Sequence, residues 1–254
     1  MQPLIELCDK RIIIVGASKG IGKQTAILLS ELGAKCVLIS RNQDSLIQVL
    51  NEMEGEGHGV VALDLEDTDK IEEAVKLIVN SYGKIDGMAY VAGVTDDRPV
   101  RFLKPEFVEN IMKINYGGFI EFVRCVSKKN MFNPGMRIVG VSSVAAFAGT
   151  KAHTIYSSSK AAMIAAVRCL AQELADKNIA INSVAPGWVK TEMYDKWLDN
   201  NGEDSYQACK MKKNQYLGVI EAGDIAKTIA FLLSSASRFI AGTCLIADGG
   251  SYSN

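Results

Sequence analysis

Short apolar runs alternate along this chain with stretches whose apolar residues recur every three or four positions. The runs at 11–15, 35–40, 59–63, 86–91, 136–142, 180–185 and 243–247 are brief and apolar, as strands buried on both faces are. Between them the spacing predicts helices over 20–32, 44–54, 67–82, 104–129, 155–176 and 223–235. Alternation of this kind predicts an α/β fold: a doubly wound parallel sheet of about seven strands with helices on both faces, in three layers. No repeat, low-complexity tract or Pro/Gly-rich linker interrupts the pattern, so residues 1–254 read as a single domain. The stretch from Lys190 to Val219 differs. It is polar, with Met193, Tyr194, Trp197, Tyr206 and Tyr216 dispersed in it. It reads as a mobile lid over a ligand crevice, with a pair of stable surface helices as the alternative.

Composition narrows the function classes. Hydrophobic residues make up 48% and charged residues 22%, enough for a sizeable globular core. A net charge of −1 gives no reason to expect nucleic acid or an anionic membrane as partner. Cys8, Cys36, Cys125, Cys169, Cys209 and Cys244 are scattered without C-x-x-C spacing, which argues for reduced thiols in a cytoplasmic protein. His58 and His153 lack a ligand pattern, so no metal site is expected. His153 reads as a surface-loop residue, with a place in a substrate pocket as the alternative. The N-terminus has no basic stretch followed by an apolar core, and no run reaches membrane-spanning length.

Two segments carry chemistry. The apolar run R-I-I-I-V leads into Gly16-Ala17-Ser18-Lys19-Gly20-Ile21-Gly22 and then into a helical pattern. Strand, glycine-rich turn and helix N-terminus together form a cradle for a pyrophosphate. At the end of the second strand stands Ser40-Arg41-Asn42 rather than the acid that bonds a ribose 2′-hydroxyl. The Arg41 guanidinium, with Lys19 on the same side, suits a 2′-phosphate. The second segment is Tyr156-Ser157-Ser158-Ser159-Lys160. A tyrosine and a lysine four apart share a helix face, and a nearby ammonium favours the phenolate, which makes a general acid/base without histidine.

With G-x-x-x-G-x-G and Y-x-x-x-K in this order, the chain resembles the short-chain dehydrogenase/reductase family over nearly its whole length. Asn115 in K-I-N-Y-G-G, Ser143 in V-G-V-S-S, Pro186-Gly187 with Thr191, and Asp248-Gly249-Gly250 match further family segments. The resemblance implies a Rossmann-type fold and catalytic roles for Asn115, Ser143, Tyr156 and Lys160. Tyr156 would exchange the proton and Ser143 would bond the carbonyl oxygen. Lys160 would bond the nicotinamide ribose and keep the tyrosine acidic, and Asn115 would hold a water linking Lys160 to solvent. Ser142 is the rival for the serine role, but neighbours on a strand face opposite ways. Cofactor contacts implied are Gly16, Ser18, Lys19, Gly20, Ile21, Gly22, Arg41, Asp64, Leu65, Ala92, Gly93, Pro186, Gly187, Val189 and Thr191, together with Tyr156 and Lys160. Asp64 has a helix N-terminal acid as its alternative reading. The implied cofactor is NADP(H), and the implied assembly is a homotetramer.

The layout is most similar to 3-oxoacyl-[acyl-carrier-protein] reductases, which implies a carrier-bound carbonyl substrate gripped by Lys128, Lys129 and Arg168. Gln172 stands where that group commonly has an arginine. Alternatives are a reductase of a small ketone, keto-sugar or secondary-metabolite carbonyl, and a non-catalytic NADPH-binding regulator. The chain departs from the family at Val15, usually threonine, and at Tyr90-Val91-Ala92-Gly93, usually N-N-A-G. Both segments are more apolar, and mutual packing of Val15 and Val91 is expected to compensate.

Overall fold

The computed structural model describes residues 4–95, 97–205, 208–209 and 213–252. Tyr206, assigned to the lid from the sequence, lies outside them. Seven parallel strands form the sheet: β1 (Arg11–Val15), β2 (Lys35–Ser40), β3 (Gly59–Ala62), β4 (Ile85–Tyr90), β5 (Phe132–Val141), β6 (Ala180–Pro186) and β9 (Cys244–Ala247), in the order β3-β2-β1-β4-β5-β6-β9. β7 (Val189–Lys190) and β8 (Ile220–Glu221) form a separate parallel pair. The helices are α1 (Gly20–Glu31), α2 (Gln43–Leu50), α3 (Ile71–Tyr82), α4 (Pro105–Met112), α5 (Gly118–Val126), α6 (Thr154–Glu173), α7 (Glu192–Asn201) and α8 (Ala222–Leu233).

Strand alternation divides the core in two. Ile13 and Val15 face one layer, with Val75 and Ile78 of α3, Phe119 and Phe122 of α5, and Met163 and Val167 of α6. Ile12 and Ile14 face the other, with Ala26 and Leu29 of α1, Leu46 of α2, and Ile225 and Ile229 of α8. Each fully buried Ile or Leu contributes about 1.5–3 kcal/mol, so both faces must be covered. The chain leaves β1 toward β2 on one side and returns to β4 on the other. That reversal opens a crevice beyond the carboxyl ends of β1 and β4, where ligands bind in such sheets.

The expected helix over 104–129 is three pieces. Its apolar periodicity is continuous, but Lys113–Gly117 form a π-helical turn between α4 and α5, and α5 ends at Val126. One extra residue in that turn shifts the following helix face without any change of composition. The expected compensation between Val15 and Val91 is also corrected. Val15 pairs in register with Tyr90, and the two share the first core layer, whereas Val91 packs toward the second. Adjacent residues of a strand point to opposite faces, so Val91 cannot fill space beside Val15. Tyr90 does so: it is fully buried, its ring lies edge-on to Phe119, and its hydroxyl donates to Ile114 O at 2.5 Å.

Candidate active site

The glycine turn is built by close backbone approach. Gly16 and Gly20 have φ of +88° and +53°, conformations that strain other residues. A Cβ on Gly16 would lie 2.6 Å from Ala92 N, and one on Gly22 would lie 2.0 Å from Gly16 O. One on Gly20 would stand 3.1 Å from Thr191 Cγ2, so the 186–191 segment meets the turn. Lys19, at the N-cap of α1, makes no side-chain capping bond, and the first turn carries no acid. The free amides and positive helix end there suit a phosphate.

Arg41 lines a cavity of about 300 Å³ with Glu66, Thr95, Asn110 and the apolar Val94, Phe107, Ile111 and Ile114. A cation beside a partly apolar wall suits a phosphorylated ribose and a flat base, and the glycine turn suits a pyrophosphate. The side chain of Leu65 packs into the first core layer and that of Val189 into the second, so each would offer its backbone to a cofactor. Asp64 accepts a hydrogen bond from Glu66 N at 3.0 Å, which makes it the start of a local turn. Gly187 N donates to Ala247 O at 3.1 Å, which ties the Pro186-Gly187 corner to the D-G-G segment.

The structure brings Ser143, Tyr156 and Lys160 together. Ser143 follows β5; its Oγ accepts from Ala145 N at 3.2 Å, and its hydroxyl comes close enough to the Tyr156 phenol to ease loss of the phenol's proton. Ser142 points the other way and donates to Lys160 O at 2.9 Å, so its hydroxyl is spent on packing. Lys160 Nζ lies 5.8 Å from the centre of the Tyr156 ring and donates to Val141 O at 2.8 Å. Burial lowers the Lys160 ammonium from 10.5 to about 8. Burial of the phenol raises Tyr156 above its usual range, and the Ser143 hydroxyl brings it part of the way back. A phenol held protonated near neutrality is a proton donor in waiting.

Asn115 sits in the π turn with its amide committed. Oδ1 accepts from Val94 N at 2.8 Å, while Nδ2 donates to Val94 O at 2.9 Å and to Ser159 Oγ at 3.0 Å. Ser159 Oγ donates in turn to Tyr156 O at 2.7 Å. The side chain clamps the loop after β4 to the backbone of Tyr156. Beside it, a Cβ on Gly93 would lie 3.0 Å from Lys160 Nζ, so this loop and the lysine adjoin.

Three features escaped the sequence. His153 is not a surface-loop residue: its side chain is 15% exposed, its Nε2 pairs with Asp97 Oδ1 at 2.6 Å, and its ring lies edge-on to Tyr156 at 6.0 Å. Gln215 is buried; its Oε1 accepts from Trp188 N at 2.8 Å, and its Nε2 donates to Trp188 O and Gly218 O. The stretch read as a lid holds α7, whose Trp197 packs on Trp188 with ring centres 4.5 Å apart. The expected carrier grip is displaced. Lys128 and Lys129 precede β5, at the amino edge of the sheet, and Lys128 is paired with Glu72 at 2.7 Å. Arg168 is three turns of α6 below Tyr156, about 18 Å along the axis. Among the described residues, the cluster Glu72, Glu121 and Cys125 has metal-ligand types, but Lys76, Arg124 and Lys128 bind the Glu72 carboxylate and hold it well below the usual range. No helix among the described residues is long and apolar enough to cross a membrane.

A family model described as Enoyl-(Acyl carrier protein) reductase matches residues 16–252. The 3-oxoacyl-[acyl-carrier-protein] reductase of Thermotoga maritima is 32% identical over 249 residues, 97% of this chain and 99% of its own length. The L-xylulose reductase of Caenorhabditis elegans is 29% identical over 252 residues, 98% of each. A solved short-chain dehydrogenase from Burkholderia cenocepacia in complex with NADP has a TM-score of 0.88 at 25% identity, covering 97% of this chain and 99% of that one. The chain belongs to the short-chain dehydrogenase/reductase family. Within it, the chain is similar to ketone reductases and is an oxidoreductase.

Proposed function

We propose that the protein reduces a ketone to a secondary alcohol with NADP(H), as a single dinucleotide-binding catalytic domain. The observation that carries this reading is the convergence of Ser143, Tyr156 and the buried Lys160, whose Nζ lies 5.8 Å from the Tyr156 ring and adjoins Gly93 of the loop that packs on the glycine turn. The α1 amides from Ser18 to Gly22 would hold the pyrophosphate, and Arg41 with Lys19 the 2′-phosphate. When bound, the nicotinamide supplies the hydride. Tyr156 gives its proton to the carbonyl oxygen, and Ser143 donates a hydrogen bond to the same oxygen as charge develops there. Lys160 stabilises the phenolate left behind. Asn115 and Ser159 position Tyr156 and the loop after β4 rather than touching substrate. α7 and the chain up to Val219 form the cover.

The 3-oxoacyl-[acyl-carrier-protein] reductase relatives support a 3-oxoacyl substrate. The position of Lys128, Lys129 and Arg168 away from Tyr156 within the chain favours the second reading, a free carbonyl compound. The NADP in a structural relative supports that cofactor. A homotetramer in the cytoplasm completes the proposal, and gel filtration at the monomer mass would remove the tetramer. The decisive experiment is turnover of a carbonyl panel with NADPH and NADH. Tyr156→Phe should lose at least about a hundredfold in kcat while still binding NADPH. Arg41→Asp should shift the preference toward NADH. Wild-type kcat in the first variant, or equal kcat/KM with both cofactors in the unmodified protein, defeats the respective claim.

A further inference from the structure

His153 is held beside the reacting phenol by an unusual local arrangement. Ala152, immediately before it, has φ of +68°, a left-handed conformation that strains an alanine. Ala152 O accepts a hydrogen bond from Arg98 N at 2.9 Å. One residue on, His153 Nε2 meets Asp97 Oδ1 at 2.6 Å. The loop after β4 is thus latched at two successive points to the start of α6. His153 occupies the N-cap of α6, yet its side chain makes no capping bond there. The side chain is committed to Asp97 and to the edge-on contact with Tyr156 instead. Strain maintained next to a reacting group is a mark of functional placement.

The Asp97 bond fixes the imidazole's roles. Nε2–H donates to the carboxylate, so the neutral ring presents Nδ1 as an acceptor. No hydrogen bond to Nδ1 is made among the described residues. The imidazole lies edge-on to Tyr156 with ring centres 6.0 Å apart, so a substrate whose carbonyl oxygen meets that phenol is also within a few ångströms of the imidazole.

We propose that the Asp97–His153 pair is a specificity determinant: Nδ1 accepts a hydrogen bond from a hydroxyl on the carbon next to the substrate's carbonyl. The preferred substrates are then α-hydroxy ketones rather than plain alkyl ketones. This rests on the ketoreductase reading above. His153 selects substrate, and Asp97 is a positioning residue that acts through it.

The test compares a matched pair, acetoin and butanone, with NADPH. His153→Phe keeps a ring against Tyr156 but removes both nitrogens. It should lower kcat/KM for acetoin by about tenfold more than for butanone, the size of one lost hydrogen bond, chiefly through KM. His153→Gln, the alternative where the phenylalanine variant does not fold, should retain part of the discrimination. Asp97→Ala should lose it, and Asp97→Asn, which keeps an acceptor for Nε2–H, should restore part of it. Equal losses for both ketones, or no change for either, overturn the proposal while leaving the ketoreductase reading in place. Wild-type protein that turns over neither ketone nor any member of the carbonyl panel overturns both.

Discussion

Replacing Lys160 by methionine is expected to make the folded chain more stable at neutral pH while ending its chemistry. Lys160 is 3% exposed, and burial lowers its ammonium from 10.5 to about 8. The unfolded chain therefore holds that proton more tightly than the folded one. Below pH 8 both states are protonated, and the folded state bears the whole charging penalty, about 3 kcal/mol. Between pH 8 and 10.5 the folded state sheds the proton first, so the penalty shrinks as pH rises and is gone above 10.5. Methionine is of similar length and carries no charge, but it forfeits the charge-assisted bond from Nζ to Val141 O, worth about 2 kcal/mol. The net gain at pH 7 is about 1 kcal/mol, or about 2–4 °C in Tm for a chain of this size. Urea denaturation of both proteins at pH 7, 9 and 10.5 measures it, since other titrating groups cancel in the difference. A methionine variant no more stable than wild type at pH 7 would refute the reasoning. So would an advantage that fails to shrink toward pH 10.5.

Two further outcomes follow from the packing. Gly22→Ala places a methyl 2.0 Å from Gly16 O, where only backbone is present to give way. It should abolish NADPH binding or folding, and normal cofactor affinity by titration would show that the turn is looser than described. Val15→Thr returns a hydroxyl to a fully buried position in the layer shared with Tyr90. It should cost about 1–3 kcal/mol, and a higher melting temperature would show that a partner for the hydroxyl exists.

The sheet was legible because buried parallel strands are short apolar runs bounded by punctuation, and all seven lie where those runs are. The convergence of the candidate site residues was legible because Tyr156 and Lys160 share one helix and the other groups fall at recognisable segments. What could not be read depends on where backbone turns aim a side chain. The π turn at Lys113–Gly117 looks like ordinary helix in composition, yet it sets which way Asn115 points. Asp97 and His153 lie 56 positions apart, and only folding reveals their bond. That the side chains of Leu65 and Val189 turn into the two core layers, leaving their backbone toward the crevice, is likewise set by the fold. Lys128 and Lys129 carry the right charge for an acidic partner; the direction of α5 takes them to the opposite edge of the sheet.

The β7–β8 pairing has one more consequence. Val189 lies beside Ile220 and Lys190 beside Glu221, so the chain between them leaves and re-enters the body through a single closed neck. Gln215 rivets the returning strand to Trp188 just inside that neck. An excursion fastened in this way behaves as a cassette. Beyond Thr191, which packs on the glycine turn, its length can change at small entropic cost while the neck keeps the sheet beneath it unaltered.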